Sequence, residues 1–280
     1  MKEISLDKPI ARGRTADVYD WDKGHILKLF HNGFPIEDIE YEQKIARIVQ
    51  ARGLNSPAVG ELLQIEGRNG LIYERVAGSS MLEIFQRQPW KVFHFGKMLA
   101  RLHAHMHANV SSREVPTQRK KLESKLKAAD KLPSLLRTRL LKTLEVMPIR
   151  ERVCHGDFHP ANILISGKDA TIIDWIDASR GNPLGDVART SIILSGAMES
   201  TQIPTRLQKI LVSAFHSTYL KYYFRQRRNG WDEYRAWLPI VAGARLNENI
   251  PELEQWLVKQ AEILPAPFTI GYKISKVNKT

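Results

Sequence analysis

The stretch V-C-H-G-D-F-H-P-A-N-I-L-I-S-G-K-D-A-T-I-I-D, from Val153 to Asp174, decides how the rest of the chain reads. Two apolar runs, Ile163 to Ile165 and Ala170 to Ile173, flank Gly167-Lys168-Asp169, the mark of a short hairpin turn. Counting outward from Lys168 sets Ile165 opposite Thr171, Ile163 opposite Ile173 and Asn162 opposite Asp174. A register differing by one residue moves one of these side chains to the other face. Facing side chains of an antiparallel pair lie only about 4.5–5.5 Å apart at Cβ, so an amide oxygen and a carboxylate meet where the hairpin opens. Hard oxygens of that kind suit Mg²⁺. Asp157 precedes Asn162, and Pro160 between them disfavours a regular helix. A second carboxylate therefore loops past the same mouth.

The N-terminal third supplies two charges that each look misplaced alone. Lys28 sits in Ile26-Leu27-Lys28-Leu29-Phe30, where strand alternation groups it with Ile26 and Phe30 on one face. A lysine on a buried face needs a partner or an anionic ligand. Pro35 opens a helix that Gly53 closes, and its apolar stripe runs Ile36, Ile39, Glu42, Ile45, Val49. Glu42 interrupts that stripe with a charge, and a Lys28–Glu42 pair resolves both anomalies. Upstream, Gly13 opens a polar loop, Arg14-Thr15-Ala16, of the kind whose backbone N–H groups cover phosphates. Further strands run Val59 to Ile65 and Leu71 to Val76 across a Gly67-Arg68-Asn69-Gly70 turn, and Ala77-Gly78-Ser79-Ser80 breaks the chain between two lobes.

Beyond residue 80 the pattern is helical. Lys91 to Ala108 carries Val92, Phe95, Leu99, Leu102 and Met106 as its buried stripe, with His103 and His107 four apart. The Glu of an H-E-x-x-H metal motif is replaced by Ala104, which favours core histidines. Pro116 to Met147 reads as two basic surface helices broken near Leu132-Pro133. Asp186 stands where a helix from Val187 to Leu194 wants an N-cap, and Asp177 reads as a solvent-facing turn carboxylate. Pro204 to Leu264 is helical and aromatic-rich.

At 280 residues with 43% hydrophobic and 26% charged content, the chain supports two lobes with real cores and excludes disorder. The single cysteine, Cys154, excludes an internal disulfide and fits a reducing, cytoplasmic compartment. The opening M-K-E-I-S-L-D-K-P-I lacks a signal-peptide core, and no apolar run reaches a membrane span. The net charge of +12 is scattered over Arg119 to Lys127, Arg137 to Lys142, Arg225 to Arg228 and the tail from Lys273, without a nucleic-acid motif. Neither a specific nucleic acid nor a membrane is expected as partner.

The spacing of His155-Gly156-Asp157, Asn162 and Asp174 resembles the phosphotransfer template His-x-Asp-x-x-x-x-Asn followed by a metal-binding Asp. C-H-G-D-F-H-P-A-N-I-L-I and I-I-D-W-I-D-A-S-R-G-N-P-L-G-D-V-A-R together resemble the aminoglycoside phosphotransferase and choline kinase-type family. L-A-R-L-H-A-H-M-H and L-I-Y-E-R-V-A-G resemble other segments of it. The resemblance implies an α+β, bilobal, protein-kinase-like fold, with a nucleotide-binding lobe over residues 1–76 and a catalytic, substrate-binding lobe over 77–280. The first lobe would be a small antiparallel β-sheet with one key helix, the second mostly helical.

By the same resemblance, Asp157 would orient an acceptor hydroxyl and take its proton, while Asn162 and Asp174 would hold Mg²⁺ on the phosphates of ATP. Lys28, braced by Glu42, would contact the α/β-phosphates. Backbone groups of Glu74 and Val76 would bind adenine, with Tyr73 behind it, and His159 would stand near the γ-phosphate. Asp174 leads quickly to Asp186, leaving no long activation segment, which favours a small hydroxylated acceptor over a protein. A nucleotide-binding scaffold without activity is the alternative, and a protein kinase a minor one. The C-terminal acidic residues Glu248, Glu252, Glu254 and Glu262 are few for a polycationic aminoglycoside in so basic a chain.

Overall fold

The computed structural model describes residues 8–13, 15–200, 205–227 and 230–263. Arg14 of the polar loop and the basic tail from Lys273 lie outside the described residues. The first part is a five-stranded antiparallel sheet in the order β1-β2-β3-β5-β4. Its strands are β1 Ala11–Arg12, β2 Ala16–Asp22, β3 His25–Phe30, β4 Val59–Ile65 and β5 Arg68–Glu74. Helix α1, Ile36–Ala51, crosses between β3 and β4. It lays Ile39 onto a face formed by Ala16, Phe30 and Leu71. Lys28 pairs laterally with Val18 and Leu71, and so shares that face. Leu27 and Leu29, pointing the other way, are fully buried with Tyr19 and Ile65, so both faces of β3 are covered. The β4–β5 turn falls at Glu66-Gly67, both with positive φ, rather than at Gly67 to Gly70. Arg68 and Asn69 are thereby strand residues, and Arg68 donates to the carbonyls of Leu29 and Phe30.

The remainder is mostly helical: α2 Met81–Arg87, α3 Val92–Met106, α4 Gln118–Ala128, α5 Ser134–Val146, α6 Pro183–Glu199, α7 Arg206–Gln226, α8 Trp231–Arg245 and α9 Glu254–Glu262. Stripes such as Val92, Phe95, Leu99 and Met106 on α3 meet Phe215, Tyr219 and Tyr223 of α7 in one continuous core. Two small sheets carry the decisive stretch. Strand β7 Arg152–Cys154 pairs with β10 Ser179–Gly181, and β8 Ile163–Ser166 sits between β6 Ser79–Ser80 and β9 Asp169–Ile172. The Ala77 to Ser80 break is thus pinned rather than loose: Ser79 and Ser80 pair with Ile165 and Leu164, and Ser80 caps α2 with Glu83 in a capping box.

The hairpin forms where expected, one residue out of the expected register. Ile163 faces Ile172 and Ser166 faces Asp169, which leaves Gly167-Lys168 as a two-residue turn. Gly167 alone takes a positive φ there, +59°, the glycine-first turn whose twist matches its strands. Asn162 therefore faces Ile173, whose N–H it receives on its carbonyl at 3.0 Å. Asp174 comes one residue later in a left-handed conformation, φ +64°. That conformation turns its carboxylate out of the ladder toward Lys28. Helix α6 likewise begins earlier than expected. Asn182, not Asp186, is its N-cap, accepting from Leu184 N–H at 3.0 Å with Pro183 in the first turn. Asp186 is left free to face inward.

Candidate active site

Lys28 and Glu42 find each other across the sheet–helix interface. Lys28 Nζ donates to Glu42 Oε1 at 2.7 Å and Oε2 at 2.9 Å, and reaches Asp174 Oδ1 at 3.2 Å. The Glu42 side chain is 2% exposed, and it also accepts from Tyr73 Oη at 2.7 Å. Tyr73 thus holds the glutamate. Burial works against the Lys28 charge, but Asp174 and Glu42 outweigh it and raise the ammonium above its ordinary pKa. Val76 N–H has no acceptor among the described residues, whereas Glu74 N–H is already committed to Ala58 O at 2.8 Å. Gly13 N–H closes a turn onto Ala16 O at 2.9 Å.

The loop bearing Asp157 is shaped by its own histidines. His155 donates through Nε2 to Ile173 O at 3.0 Å and accepts Asp157 N–H on Nδ1 at 3.2 Å. Gly156 adopts φ +80°, and a Cβ there would meet Asp177 O at 2.4 Å. Only glycine fits at that position. His159 accepts Ala161 N–H on Nδ1, so its Nε2 N–H faces Asp157 Oδ2 at 3.3 Å. Asn162 Nδ2 donates to Asp157 O at 2.9 Å and Oδ2 at 3.2 Å. The amide oxygen of Asn162 accepts nothing from the described residues. It is a hard donor left over, as Asp174 supplies a half-exposed carboxylate. Burial opposes the Asp157 charge, but the His159 hydrogen bond and the Arg189 guanidinium hold its pKa well below the usual carboxylate range.

Beneath the loop lies Asp186, fully buried. Its Oδ2 accepts from His155 N–H at 2.7 Å and from His103 Nε2 and His107 Nε2, each at 3.1 Å, while Oδ1 accepts from Gly156 N–H at 2.8 Å. The far nitrogens of the two rings meet Tyr219 Oη at 2.6 Å and Tyr223 Oη at 2.7 Å. His103, His107 and Asp186 could converge on a metal ion by distance, but every ring nitrogen already has a partner. The cluster is a complete hydrogen-bond network that carries the loop. Burial pulls the imidazole of His107 down to about 3 and lowers His103 too, and His216 is pulled down to about 4. The folded values lie below the unfolded value of 6.5, so the unfolded chain binds these protons first. That stabilisation is whole above about pH 6.5 and is lost as pH falls toward the folded values. Melting temperature is expected to drop steeply between about pH 6.5 and 4, each unit costing up to about 1.4 kcal/mol per histidine. A flat profile over that window would refute neutral, buried histidines.

Sequence reasoning missed three contributors because each comes from a different element. Arg189 of α6 donates from Nε to Gly156 O at 2.9 Å, pairs with Glu248 Oε1 at 2.5 Å and lies 3.6 Å from Asp157 Oδ1. Asp177 sits in the expected turn with its side chain 31% exposed, yet it is paired: Lys125 Nζ bonds its Oδ1 at 2.9 Å and Lys121 Nζ stands 4.0 Å away. Glu248, counted among the acidic residues of the C-terminal part, is bound to Arg189 and Arg245. The only available signal was for Arg189, a charge on the otherwise apolar helix α6.

The model of the phosphotransferase enzyme family matches residues 7–237. No protein with a curated description matches the chain. Among solved structures, a thermostable mutant of aminoglycoside phosphotransferase APH(4)-Ia is 15% identical with TM-score 0.62, covering 92% of each chain. The amicoumacin kinase hAmiN, in complex with AMP-PNP and Ca²⁺, is 19% identical with TM-score 0.60, over 89% of this chain and 80% of that one. Aminoglycoside phosphotransferase APH(3'')-Id from Streptomyces rimosus is 17% identical with TM-score 0.55, over 85% and 92%. At such identities the likeness carries the bilobal, protein-kinase-like α+β fold. No helix among the described residues is long and apolar enough to cross a membrane.

Proposed function

This chain belongs to the phosphotransferase enzyme family, and on that premise we propose that it moves the γ-phosphoryl group of ATP to a hydroxyl of a small molecule. Residues 1–76 form the nucleotide-binding lobe and 77–280 the catalytic and acceptor-binding lobe. The observation that supports this reading best is the charged line from Glu42 through Lys28 to Asp174, which joins the sheet to the mouth of the hairpin. Phosphoryl transfer asks for alignment and positive charge at the phosphates more than for covalent chemistry. Lys28, held by Glu42, offers its ammonium to the α/β-phosphates. The Val76 N–H, which has no acceptor among the described residues, and the carbonyl of Glu74 face adenine, and the Gly13 turn covers the phosphates.

The amide oxygen of Asn162 and the carboxylate of Asp174 are the donors that fit Mg²⁺, which, when bound, supplies positive charge at the phosphate oxygens. Asp157 accepts the acceptor's hydroxyl proton as that oxygen forms its bond to γ-phosphorus. The bond from phosphorus to the bridging oxygen breaks, and ADP leaves. A low pKa on Asp157 suits this, because the proton arrives late, when the hydroxyl has become acidic. His159 and Asn162 hold the carboxylate in place. The short path from Asp174 to β10 and α6 leaves no activation segment to dock a protein, which supports a small acceptor.

Glu42→Gln tests the nucleotide half directly. Lys28 then loses half of its counter-charge, and ATP affinity by calorimetric titration with Mg²⁺ is expected to weaken about tenfold, roughly 1.4 kcal/mol. An unchanged affinity in a variant that still melts normally would separate Lys28 from the nucleotide.

A further inference from the structure

Beside the Asp157 loop, α4, α6 and α8 enclose a cavity of about 40 Å³ whose wall includes Gly156, Lys121, Lys125, Asp177, Arg189 and Arg245. That is room for about three water-sized spheres at roughly 10–15 Å³ each, the size of a carboxylate or phosphoryl group rather than of a sugar ring. Its lysine end has two cations to one paired carboxylate. Lys121 and Lys125 share the one carboxylate of Asp177, at 4.0 and 2.9 Å. At the other end Arg189 stands between two carboxylates, Glu248 at 2.5 Å and Asp157 at 3.6 Å, and Arg245 also contacts Glu248 at 3.3 Å. Asp186 also reaches the wall, but its oxygens are filled by N–H donors. Lys121 turns to two backbone carbonyls, Ile176 O at 3.1 Å and Ala178 O at 3.2 Å. Burial, with Lys125 adding to it against Asp177, pulls Lys121 down to about 8. An ammonium in that state gains from the arrival of an anion.

We propose that the acceptor is a hydroxylated metabolite bearing a carboxylate or phosphoryl group, and that this cavity seats that group against Lys125 and Lys121 while its hydroxyl reaches Asp157. A polycation meets the opposite conditions here. Asp177 and Glu248, the carboxylates paired with the cations of the wall, are already neutralised, and an incoming ammonium adds like charge to lysines and arginines. Charged hydrogen bonds of the proposed kind are worth roughly 1.5–3 kcal/mol, about tenfold or more in affinity.

The inference rests on the phosphotransferase reading, and the experiment separates the two. ATP binding is measured first by calorimetry with Mg²⁺, then ATP consumption with D-glycerate, gluconate and glucose 6-phosphate, with glycerol and glucose, and with hygromycin B and streptomycin. The anionic acceptors are expected to be turned over at least about tenfold more efficiently than the neutral ones, with the polycations poorest. Lys125→Gln, at a partly exposed site, is expected to raise KM for the preferred anion about tenfold, and Lys125→Glu further, with nucleotide affinity held. Preference for hygromycin B or streptomycin, transfer to none of the anions by ATP-loaded protein, or an unaltered KM in Lys125→Gln overturns the proposal. Failure to bind ATP at all overturns the phosphotransferase reading instead.

Discussion

Asp157→Asn is expected to lower turnover by about 10²–10⁴-fold, the range set by loss of a positioned general base, while ATP still binds. The asparagine keeps the shape of the side chain and can still meet His159 Nε2 and Asn162 Nδ2, which lie 3.3 and 3.2 Å from Asp157 Oδ2. What disappears is the charge that orients the acceptor hydroxyl and receives its proton. Nucleotide contacts are assigned to Lys28, Asn162, Asp174 and the segment from Glu74 to Val76 at the end of β5, none of which depends on that charge. Calorimetric affinity for ATP is therefore expected to stay within about threefold. Turnover close to that of the unaltered protein on an identified acceptor would remove Asp157 from the chemistry. Loss of ATP binding together with turnover would mean that the loop had collapsed, which a melting curve detects.

Asp186→Ala is expected to have the largest effect on stability. Four donors converge on that carboxylate: the N–H groups of His155 and Gly156, and Nε2 of His103 and His107. All four stay dry when the carboxylate is removed, and each orphaned buried donor carries its full desolvation cost. Breaking a buried charged network of this kind costs about 3–5 kcal/mol, a fall in melting temperature of roughly 10 °C for a chain of this size. Turnover is expected to fall with it, since the backbone that carries Asp157 hangs from those two N–H bonds. Asp186→Asn, which retains one acceptor oxygen, is expected to lose less. A melting point within 2 °C of the unaltered protein, a shift of about 1 kcal/mol or less, would show that the network does not carry the loop.

Much of this arrangement was legible before any coordinates. Lys28 and Glu42 could be paired because each violated the pattern of its own element: a charge inside a strand's buried face and a charge inside a helix's apolar stripe. The helices after residue 80, the break near Leu132-Pro133 and the hairpin around Gly167 followed from periodicity and turn chemistry. The limits were equally physical. Hairpin register depends on whether the turn holds two residues or three, and Gly167-Lys168-Asp169 allows both. Pairing of β8 with β9, with β6 on the other side, selected two. Asp186 and Asn182 both suit an N-cap, and the choice fell to Asn182 because four N–H donors were waiting for a buried carboxylate inside.

The amino-acid sequence by itself determined the Lys28–Glu42 pair and the hairpin that Asn162 and Asp174 flank, and its resemblance to the family implied the class of fold. The pair and the hairpin rest on periods of two and 3.6 residues and on turn chemistry within a short span of chain. Tertiary structure alone decided that Arg189 stands against Asp157, that Asp177 and Glu248 are consumed by lysines and arginines, and that Asp186 carries the loop. Those contacts join groups such as Lys125 with Asp177 or His103 with Asp186, far apart along the chain. Their pairing depends on how helices pack, which no local pattern encodes.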